Sequence, residues 1–289
     1  MFEGLFQKLY GGGRKTDLKK EDLPTNLFGI FADRLWNQLW GIIKANFLFC
    51  LFMIPLFLWI WYNVTVAIVE INRVAEATGS LLAGDSFRQI MNIFMLGLIP
   101  AFIISSPGMA GISYVLKQYA RGEHVFFLSD FWDSIKVNWK QTLGMMLMNA
   151  VLLNILWFGS TIYAAVTLNV NLVFVLRTLL ILAVAVFLSI NLYFWPLMVT
   201  YQASFGQLLK TSFLLAVARL PLSLLFLALS FAPLAALLWL SYVWGYGFLV
   251  LIAYYLILGF GLTGFINTFY GNVTIDRYLK TDGAADEGE

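Results

Sequence analysis

The most constraining feature of this sequence is a run of 56 residues, 220–275, that contains no charged side chain. As one helix with a rise of ~1.5 Å per residue, this run would be ~84 Å long. The hydrocarbon core of a bilayer is only ~30 Å thick, so the run must cross it, turn and cross back. Residues 241–247 (SYVWGYG) are the place where the chain can turn. The sequence therefore predicts a membrane protein with several crossings.

The composition leads to the same class of protein. Of the 289 residues, 61% are hydrophobic and 12% are charged, and this charged fraction is about half the ~25% that is usual for soluble domains. The net charge of +2 is small, and the Lys and Arg residues lie at the edges of the apolar runs. We therefore expect a lipid bilayer as the surrounding medium and no nucleic acid as a partner.

Residues that carry out enzyme chemistry are scarce. The chain has one histidine, His124, and one cysteine, Cys50, which excludes metal sites built from several His or Cys side chains. It contains neither a G-x-S-x-G nucleophile motif nor a P-loop. We therefore expect a protein without enzymatic activity, with no catalytic residue, no cofactor and no bound metal.

The uncharged intervals define the crossings. The intervals 45–69, 89–116, 141–176 and 178–209 each suit one crossing of ~20 residues with interfacial ends, and 220–275 suits two. We predict an all-α, polytopic membrane helical bundle of six transmembrane helices, with short amphipathic interfacial helices. The predicted transmembrane helices are 45–69, 90–116, 141–166, 172–202, 220–241 and 247–270. They form a single transmembrane domain, 31–280, between an N-terminal segment, 1–30, and an acidic tail, 281–289.

The distribution of Lys and Arg predicts the orientation. With six crossings, 15 of these residues fall on the side of the two termini, and three fall on the other: Arg73, Arg88 and Arg177. Because cytoplasmic loops carry the excess of positive charge, we expect a multi-pass protein of the cell membrane with both termini in the cytoplasm.

Three short segments share the pattern Lys-x-(Asn/Ser)-aromatic. They are Lys44-Ala45-Asn46-Phe47, Lys136-Val137-Asn138-Trp139 and Lys210-Thr211-Ser212-Phe213, and each precedes a predicted helical pair. An amphipathic stretch accompanies each one, which predicts an interfacial helix lying flat, followed by one crossing out and one crossing back. The pattern indicates a threefold repeat, although Lys beside aromatic residues is also common at any inner membrane boundary.

Ordered polar landmarks give the chain a resemblance to a known family. They are Ser106-Pro107-Gly108-Met109-Ala110-Gly111 continuing to Glu123, the stretch from Ser129 to Trp132 followed by Lys136 to Gln141, and Phe194-Trp195-Pro196-Leu197 followed by the segment 208–221. Over residues 30–280 the chain resembles the YesL-like family of bacterial integral membrane proteins, a family of unknown function. Residues 59–92 depart from the family pattern as an insertion, which would add an extracellular segment at 70–89.

The resemblance implies an accessory role in sugar uptake, because genes of this family commonly lie near those for carbohydrate ABC importers. It supplies no catalytic or binding residue. We therefore expect a scaffold or regulator whose partners are permease or ATPase subunits of an ABC importer, with an extracellular solute-binding protein facing 70–89. The candidate docking residues are Trp132, Lys136, Asn138, Trp139, Lys140, Lys210 and Arg219. For the tryptophans, anchoring at the headgroup level is the alternative interpretation.

Polar residues within the apolar runs are the second set of candidates, because their cost in lipid makes each of them a functional suspect. They are Arg177, Asn149, Asn154, Asn191, Asn267, Ser105 and Ser106. The asparagines suit either interhelical hydrogen bonds or the lining of a substrate path. Pro100 and Pro107 are expected to break or kink the second helix. A stand-alone small-solute transporter or channel is thus the alternative function, although the five uncharged runs contain no Asp or Glu for an ion relay.

Overall fold

The computed structural model describes residues 26–78, 84–165 and 170–283, and this part of the chain is helical without any strand. The helices are α1 Leu27–Thr78, α2 Gly84–Arg121, α3 Phe127–Ala165, α4 Val170–Met198, α5 Phe205–Ala218, α6 Leu220–Val243, α7 Gly247–Tyr254 and α8 Phe260–Gly283. A π-helical turn, Tyr255–Gly259, joins α7 to α8. The all-α fold class is confirmed.

Within the described residues, six helical segments are long and apolar enough to cross a membrane. They are Leu27–Ala77, Ser86–Arg121, Phe127–Thr161, Leu172–Met198, Leu220–Val243 and Gly247–Tyr278. Much of their apolar surface faces outward: in Leu172–Met198, only 11% of the most apolar window is buried inside the protein. Helices with such an exterior need lipid around them, so the chain is a multi-pass membrane protein.

The two ends of the bundle differ in what they contain. One end, which we call the terminal end, holds the start of α1, the connections 122–126 and 199–204, and the last turns of α8. Contacts at this end include an ion pair of 3.3 Å between Arg121 and Asp276 and an edge-on ring contact of 5.3 Å between Phe31 and Phe269. The opposite end holds the turn between α6 and α7.

Most of the observed helices extend beyond the predicted ones, although α4 ends at Met198 and not at 202. Two of the three interfacial helices are not separate elements. The amphipathic stretches 31–44 and 129–140 form the first part of α1 and of α3, and neither stretch contains a proline that would stop the helix. Similarly, α8 continues past 270 and ends at Gly283, inside the segment that was predicted as the tail. The third interfacial helix does form as α5.

Local sequence explains why α5 is a separate helix. Ser204 and Gln207 form a reciprocal capping box at its start, in which each backbone N–H donates to the other residue's side chain. At its end, Arg219 leaves the helical conformation just before Leu220-Pro221. Pro221 has no N–H to donate to the preceding turn, which favours the end of α5 here, and it lies in the first turn of the new helix α6, where proline is well tolerated.

The expected break in α2 is absent. The helix runs without interruption through Pro100 and Pro107 to Arg121. Tertiary packing holds it in place, because Gly108 and Gly111 let other helices come very close. A Cβ atom at Gly111 would lie 2.4 Å from the ring of Phe131 on α3, and one at Gly108 would lie 2.6 Å from Cβ of Phe52 on α1.

Two apolar clusters form the core, and α8 belongs to both of them. The first joins α1, α2 and the start of α3, and α8 contributes Phe265 to it. The second joins α4, α5 and α6 with Met145 of α3, and α8 contributes Tyr270 and Ile275. The last helix therefore lies between the two halves of the protein and connects them.

A threefold repeat of helix pairs predicts that the two helices of each pair pack against each other to a similar extent. The structure does not show this. The helices α1 and α2 pack against each other extensively, as do α2 and α3, whereas α3 and α4 make few contacts. A hairpin pattern in the sequence therefore does not determine which helices pack closely.

The predicted insertion at 59–92 is mostly helical in its described part. It lengthens α1 to Thr78 and starts α2 at Gly84, and residues 79–83 lie outside the described residues. Trp59 ties the two helices together, since its Nε1 donates to the carbonyl of Phe94 at 3.0 Å. Gly97 makes room for this indole, because a Cβ atom there would lie 2.0 Å from the Trp59 ring.

The π-helical turn depends on a single asparagine of α1. Asn46 is fully buried, and its Nδ2 donates to the carbonyls of Tyr255 at 3.0 Å and Leu256 at 2.7 Å. Its Oδ1 accepts from the backbone N–H of Gly261 at 2.8 Å. The asparagine thus bonds backbone groups around the π-helical turn, which have no water partner in lipid.

Glycines let α1 approach α8 at this point. Gly259, Gly261 and Gly264 have the G-x-G-x-x-G spacing of dinucleotide-binding turns, but they lie within a helical segment and follow no strand. A Cβ atom at Gly261 would lie 2.9 Å from Ile42 Cγ2. The spacing therefore allows close helix packing and does not mark a nucleotide site.

Candidate functional site

Four of the predicted docking residues share one exposed face of α3. Trp132, Lys136, Trp139 and Lys140 are spaced three or four residues apart, so they lie on the same side of the helix. Trp132 and Trp139 are 47% and 51% exposed, and Lys140 Nζ lies 5.5 Å from the centre of the Trp139 ring. We call these four residues the α3 face. It presents two indoles and two ammonium groups outward at the terminal end.

Asn138 does not belong to this face. It is 8% exposed, and its Nδ2 donates to the carbonyl of Ser134 at 3.1 Å. Ser134 Oγ donates in turn to the carbonyl of Ala110 on α2 at 2.8 Å. Asn138 therefore supports the packing of α3 on α2. Helical spacing alone places residue 138 opposite residue 136, so this could have been found from the sequence.

A polar cleft of about 540 Å³ lies beside the buried side of α3 at the terminal end. Its walls come from α2, α3 and the connection between α4 and α5, and they include Tyr114, Asp130, Asp133, Asn138, Gln141 and Gln202. The phenol, amide and carboxylate groups of these walls could receive a short polar segment of another protein. We call this space the terminal cleft.

The acidic groups of the terminal cleft are already engaged by neighbouring residues. Asp133 Oδ1 accepts from Lys136 Nζ at 2.9 Å, and Asp130 Oδ2 accepts at 2.9 Å from the backbone N–H of Phe126, the residue before α3, as the inner side chain of a capping box does. Gln141 Oε1 is different, because it is buried and has no hydrogen-bond partner among the described residues. It is thus an acceptor in the cleft wall that a bound donor would satisfy.

Lys210 and Arg219 lie apart from the terminal cleft. Lys210 is exposed on α5, whose inner face packs through Leu208 and Leu215. Arg219 lies at the junction of α5 and α6, where its Nε donates to Tyr278 Oη at 2.9 Å. This hydrogen bond raises the pKa of the Arg219 guanidinium, which stays charged at any physiological pH. The predicted docking residues therefore form two separate groups.

Three of the predicted intramembrane residues come together around a second cavity. Asn149 on α3 and Asn191 on α4 form a reciprocal amide pair, with both Nδ2–Oδ1 distances at 3.0 Å. Asn267 on α8 accepts from Ser230 Oγ on α6 within hydrogen-bond distance. All three asparagines line a cavity of about 580 Å³ whose walls are mainly apolar. These amides form hydrogen bonds between helices, which is one of the two roles predicted for them.

The other intramembrane candidates lie elsewhere. Asn154 donates from Nδ2 to the carbonyl of Met95 at 2.8 Å and so joins α3 to α2. Ser105 and Ser106 are buried within α2, and Ser105 Oγ has no partner in the part of the chain that the structure describes. Arg177 is exposed on α4. These residues do not contribute to one common site.

Within the described ranges, no group of three or more His, Cys, Asp or Glu side chains is arranged so that it could hold a metal ion.

No protein-family model, curated protein or solved structure matches the chain. The function must therefore be inferred from the residues and geometry of the protein itself.

Proposed function

We propose that this protein is a non-enzymatic scaffold of the bacterial cell membrane, which assembles with a carbohydrate ABC importer. The observation that carries the proposal is the α3 face, which leaves two tryptophans and two lysines exposed at the terminal end. Exposed tryptophans flanked by charged side chains provide what a protein interface needs, namely large rigid anchors with polar groups around them. The resemblance to the YesL-like family supports the choice of a sugar importer as the partner.

The charge distribution supports a cytoplasmic location for the α3 face. Of the 18 Lys and Arg residues, 15 belong to the side of the termini. In this orientation the α3 face and the terminal cleft are accessible to the permease loops and ATPase subunits of an importer. The extended ends of α1 and α2 then lie outside the cell, where a solute-binding protein operates.

Affinity purification from the native host tests the proposal. We expect tagged wild-type protein in a mild detergent to recover importer subunits, and the double variant Trp132→Ala/Trp139→Ala to lose them. The matched control is Trp36→Ala/Trp40→Ala, which removes two tryptophans of α1 that are even more exposed, at 79% and 68%, and should leave the recovery unchanged. Recovery of no transporter subunit with the wild type would refute the proposal, as would equal recovery with both double variants.

A stand-alone small-solute transporter is the second candidate, and the cavity lined by Asn149, Asn191 and Asn267 favours it. Two observations count against it. The amides already bond to one another or to Ser230, and the walls are mainly apolar, which suits a sugar poorly. Flux of labelled sugars into proteoliposomes that contain only this chain would establish transport, and its loss in Asn191→Ala would locate the path.

A further inference from the structure

An apolar groove runs along the outside of the bundle, starting at the terminal end. It has a volume of about 440 Å³ and lies between the start of α1, the first half of α6 and the second half of α8. Its walls are almost entirely apolar and include Phe28, Leu222, Leu229 and Ile266. Phe226 and Tyr270 stack with their ring centres 4.1 Å apart and give the groove a rigid wall. We call it the α6–α8 groove.

The length of the groove corresponds to one leaflet of a bilayer. Along α6 it extends from Arg219 to Leu229, and along α8 from Arg277 to Ile266. At a rise of ~1.5 Å per residue, these segments are each ~15 Å long. The hydrocarbon core is ~30 Å thick, so the groove has about the depth of one layer of acyl chains.

Positive charge is found at the terminal end of the groove only. Arg219 lies directly before α6, and Arg277 is the last groove residue of α8. The Arg219 guanidinium donates through Nε to Tyr278 Oη, and its centre lies 5.1 Å from the Tyr278 ring. Among the described residues it has no other hydrogen-bond partner, so its Nη groups can bind an anion. This arrangement matches an amphiphile with an anionic head and an apolar tail.

We propose that the α6–α8 groove binds one anionic phospholipid from the leaflet at the terminal end. An acyl chain lies along the apolar walls, and the Nη groups of Arg219 donate hydrogen bonds to the phosphate. Arginine suits this role because its planar fork binds two phosphate oxygens at once. Basic pockets between transmembrane helices are typical sites for phospholipid headgroups. The proposal does not depend on the assignment of the α3 face, and it gives Arg219 a lipid instead of a protein partner.

Lipid retention measures this binding directly. The purified protein is delipidated in a non-ionic detergent, incubated with equal amounts of phosphatidylglycerol and phosphatidylcholine, and separated again before the retained lipids are counted by mass spectrometry. We expect wild-type protein to retain phosphatidylglycerol in preference to phosphatidylcholine. Arg219→Gln should retain about fivefold to tenfold less of it, since a charge-assisted contact to the phosphate is lost.

Matched variants separate the binding role of Arg219 from a structural one. Arg177→Gln removes an exposed arginine of α4 outside the groove and should retain the lipid as wild type does. Tyr278→Phe removes the hydrogen bond but keeps the guanidinium, so it should also retain lipid.

A second pair of variants tests the groove itself. Leu222→Trp fills the groove and should lose lipid even if Arg219→Gln fails to fold. Leu238→Trp, at an exposed position of α6 outside the groove lining, should have no effect.

Several results would overturn the proposal. One is equal retention by wild type, Arg219→Gln and Leu222→Trp, and another is an equal loss in Arg219→Gln and Arg177→Gln. Equal retention of the two lipids would show that the headgroup charge plays no part. Complete displacement of phosphatidylglycerol by soluble glycerol 3-phosphate would identify a soluble phosphate, and not a lipid, as the ligand.

Discussion

At the scale of single residues, several asparagines connect helices by hydrogen bonds where lipid offers no partner. Asn46 is the clearest case, because its amide bonds three backbone groups around the π-helical turn. Hydrogen bonds between membrane helices contribute roughly 0.6–2 kcal/mol each. Among the described residues, Asn46 is therefore the polar side chain on which the close approach of α1 to α8 depends most.

We predict that Asn46→Ala lowers the free energy of unfolding by on the order of 2–4 kcal/mol, since three interhelical bonds are lost at once. The measurement is unfolding by sodium dodecyl sulfate in mixed micelles, followed by circular dichroism. Asn63→Ala is the matched control, because Asn63 is also buried in α1 but bonds only to the carbonyl of Trp59, one turn away. Equal losses in both variants would contradict the assigned role of Asn46.

The sequence was informative about some of these residues and silent about others. Asn46 belongs to the repeated Lys-x-Asn-aromatic pattern, but an amide can bond any backbone group within reach, so its partners were not predictable. Asn138 has the same place in its own repeat and bonds within α3 instead. The pattern thus marks buried amides at comparable positions, and only the packing of neighbouring helices decides what each of them bonds.

At the scale of elements, α3 and α4 pack against each other less than any other two consecutive membrane-spanning segments in the described part of the chain. They make few contacts, and the amide pair of Asn149 and Asn191 is a main polar link between them. Asn154, five residues further along α3 and therefore on another side of the helix, bonds to α2 instead. The helix α3 is therefore held mainly by α2, and the amide pair keeps α4 in register with it.

A double-mutant cycle tests the amide pair. We predict that Asn149→Ala and Asn191→Ala are coupled by about 0.6–1.7 kcal/mol, because either substitution alone already removes the shared bonds. The same cycle with Asn154→Ala and Asn191→Ala should be additive within about 0.5 kcal/mol, since these two residues share no partner. Additive effects in the first cycle would show that the pair does not stabilise the bundle.

Helix boundaries were predictable only where the sequence contains a physical stop. Pro221 coincides with the end of α5, whereas nothing in 31–44 or 129–140 stops a helix, and α1 and α3 run through both segments. Pro100 and Pro107 do not end α2, so a proline alone does not predict a helix boundary. Their neighbours Gly108 and Gly111 pack closely against α1 and α3.

At the scale of the whole molecule, the number of crossings follows from hydrophobic length, and it is the most secure inference from the sequence. The assembly of the two halves is different, because it depends on α8, which contributes Phe265 to one core and Tyr270 to the other. No periodicity in the sequence of α8 predicts this division. The same geometry places the α3 face and the α6–α8 groove at one end of the bundle.

The accessibility of two loops tests the central claim, that the helices cross a membrane and leave the terminal end in the cytoplasm. In a Cys50→Ser background, single cysteines replace Glu123, in the connection between α2 and α3, and Gly245, in the turn between α6 and α7. Both positions are exposed, and a Cβ atom at Gly245 meets no atom within 4 Å.

In intact cells, a membrane-impermeant maleimide should label the cysteine at 245 and leave the one at 123 unlabelled until the cells are permeabilised. Labelling of position 123 in intact cells would contradict the account.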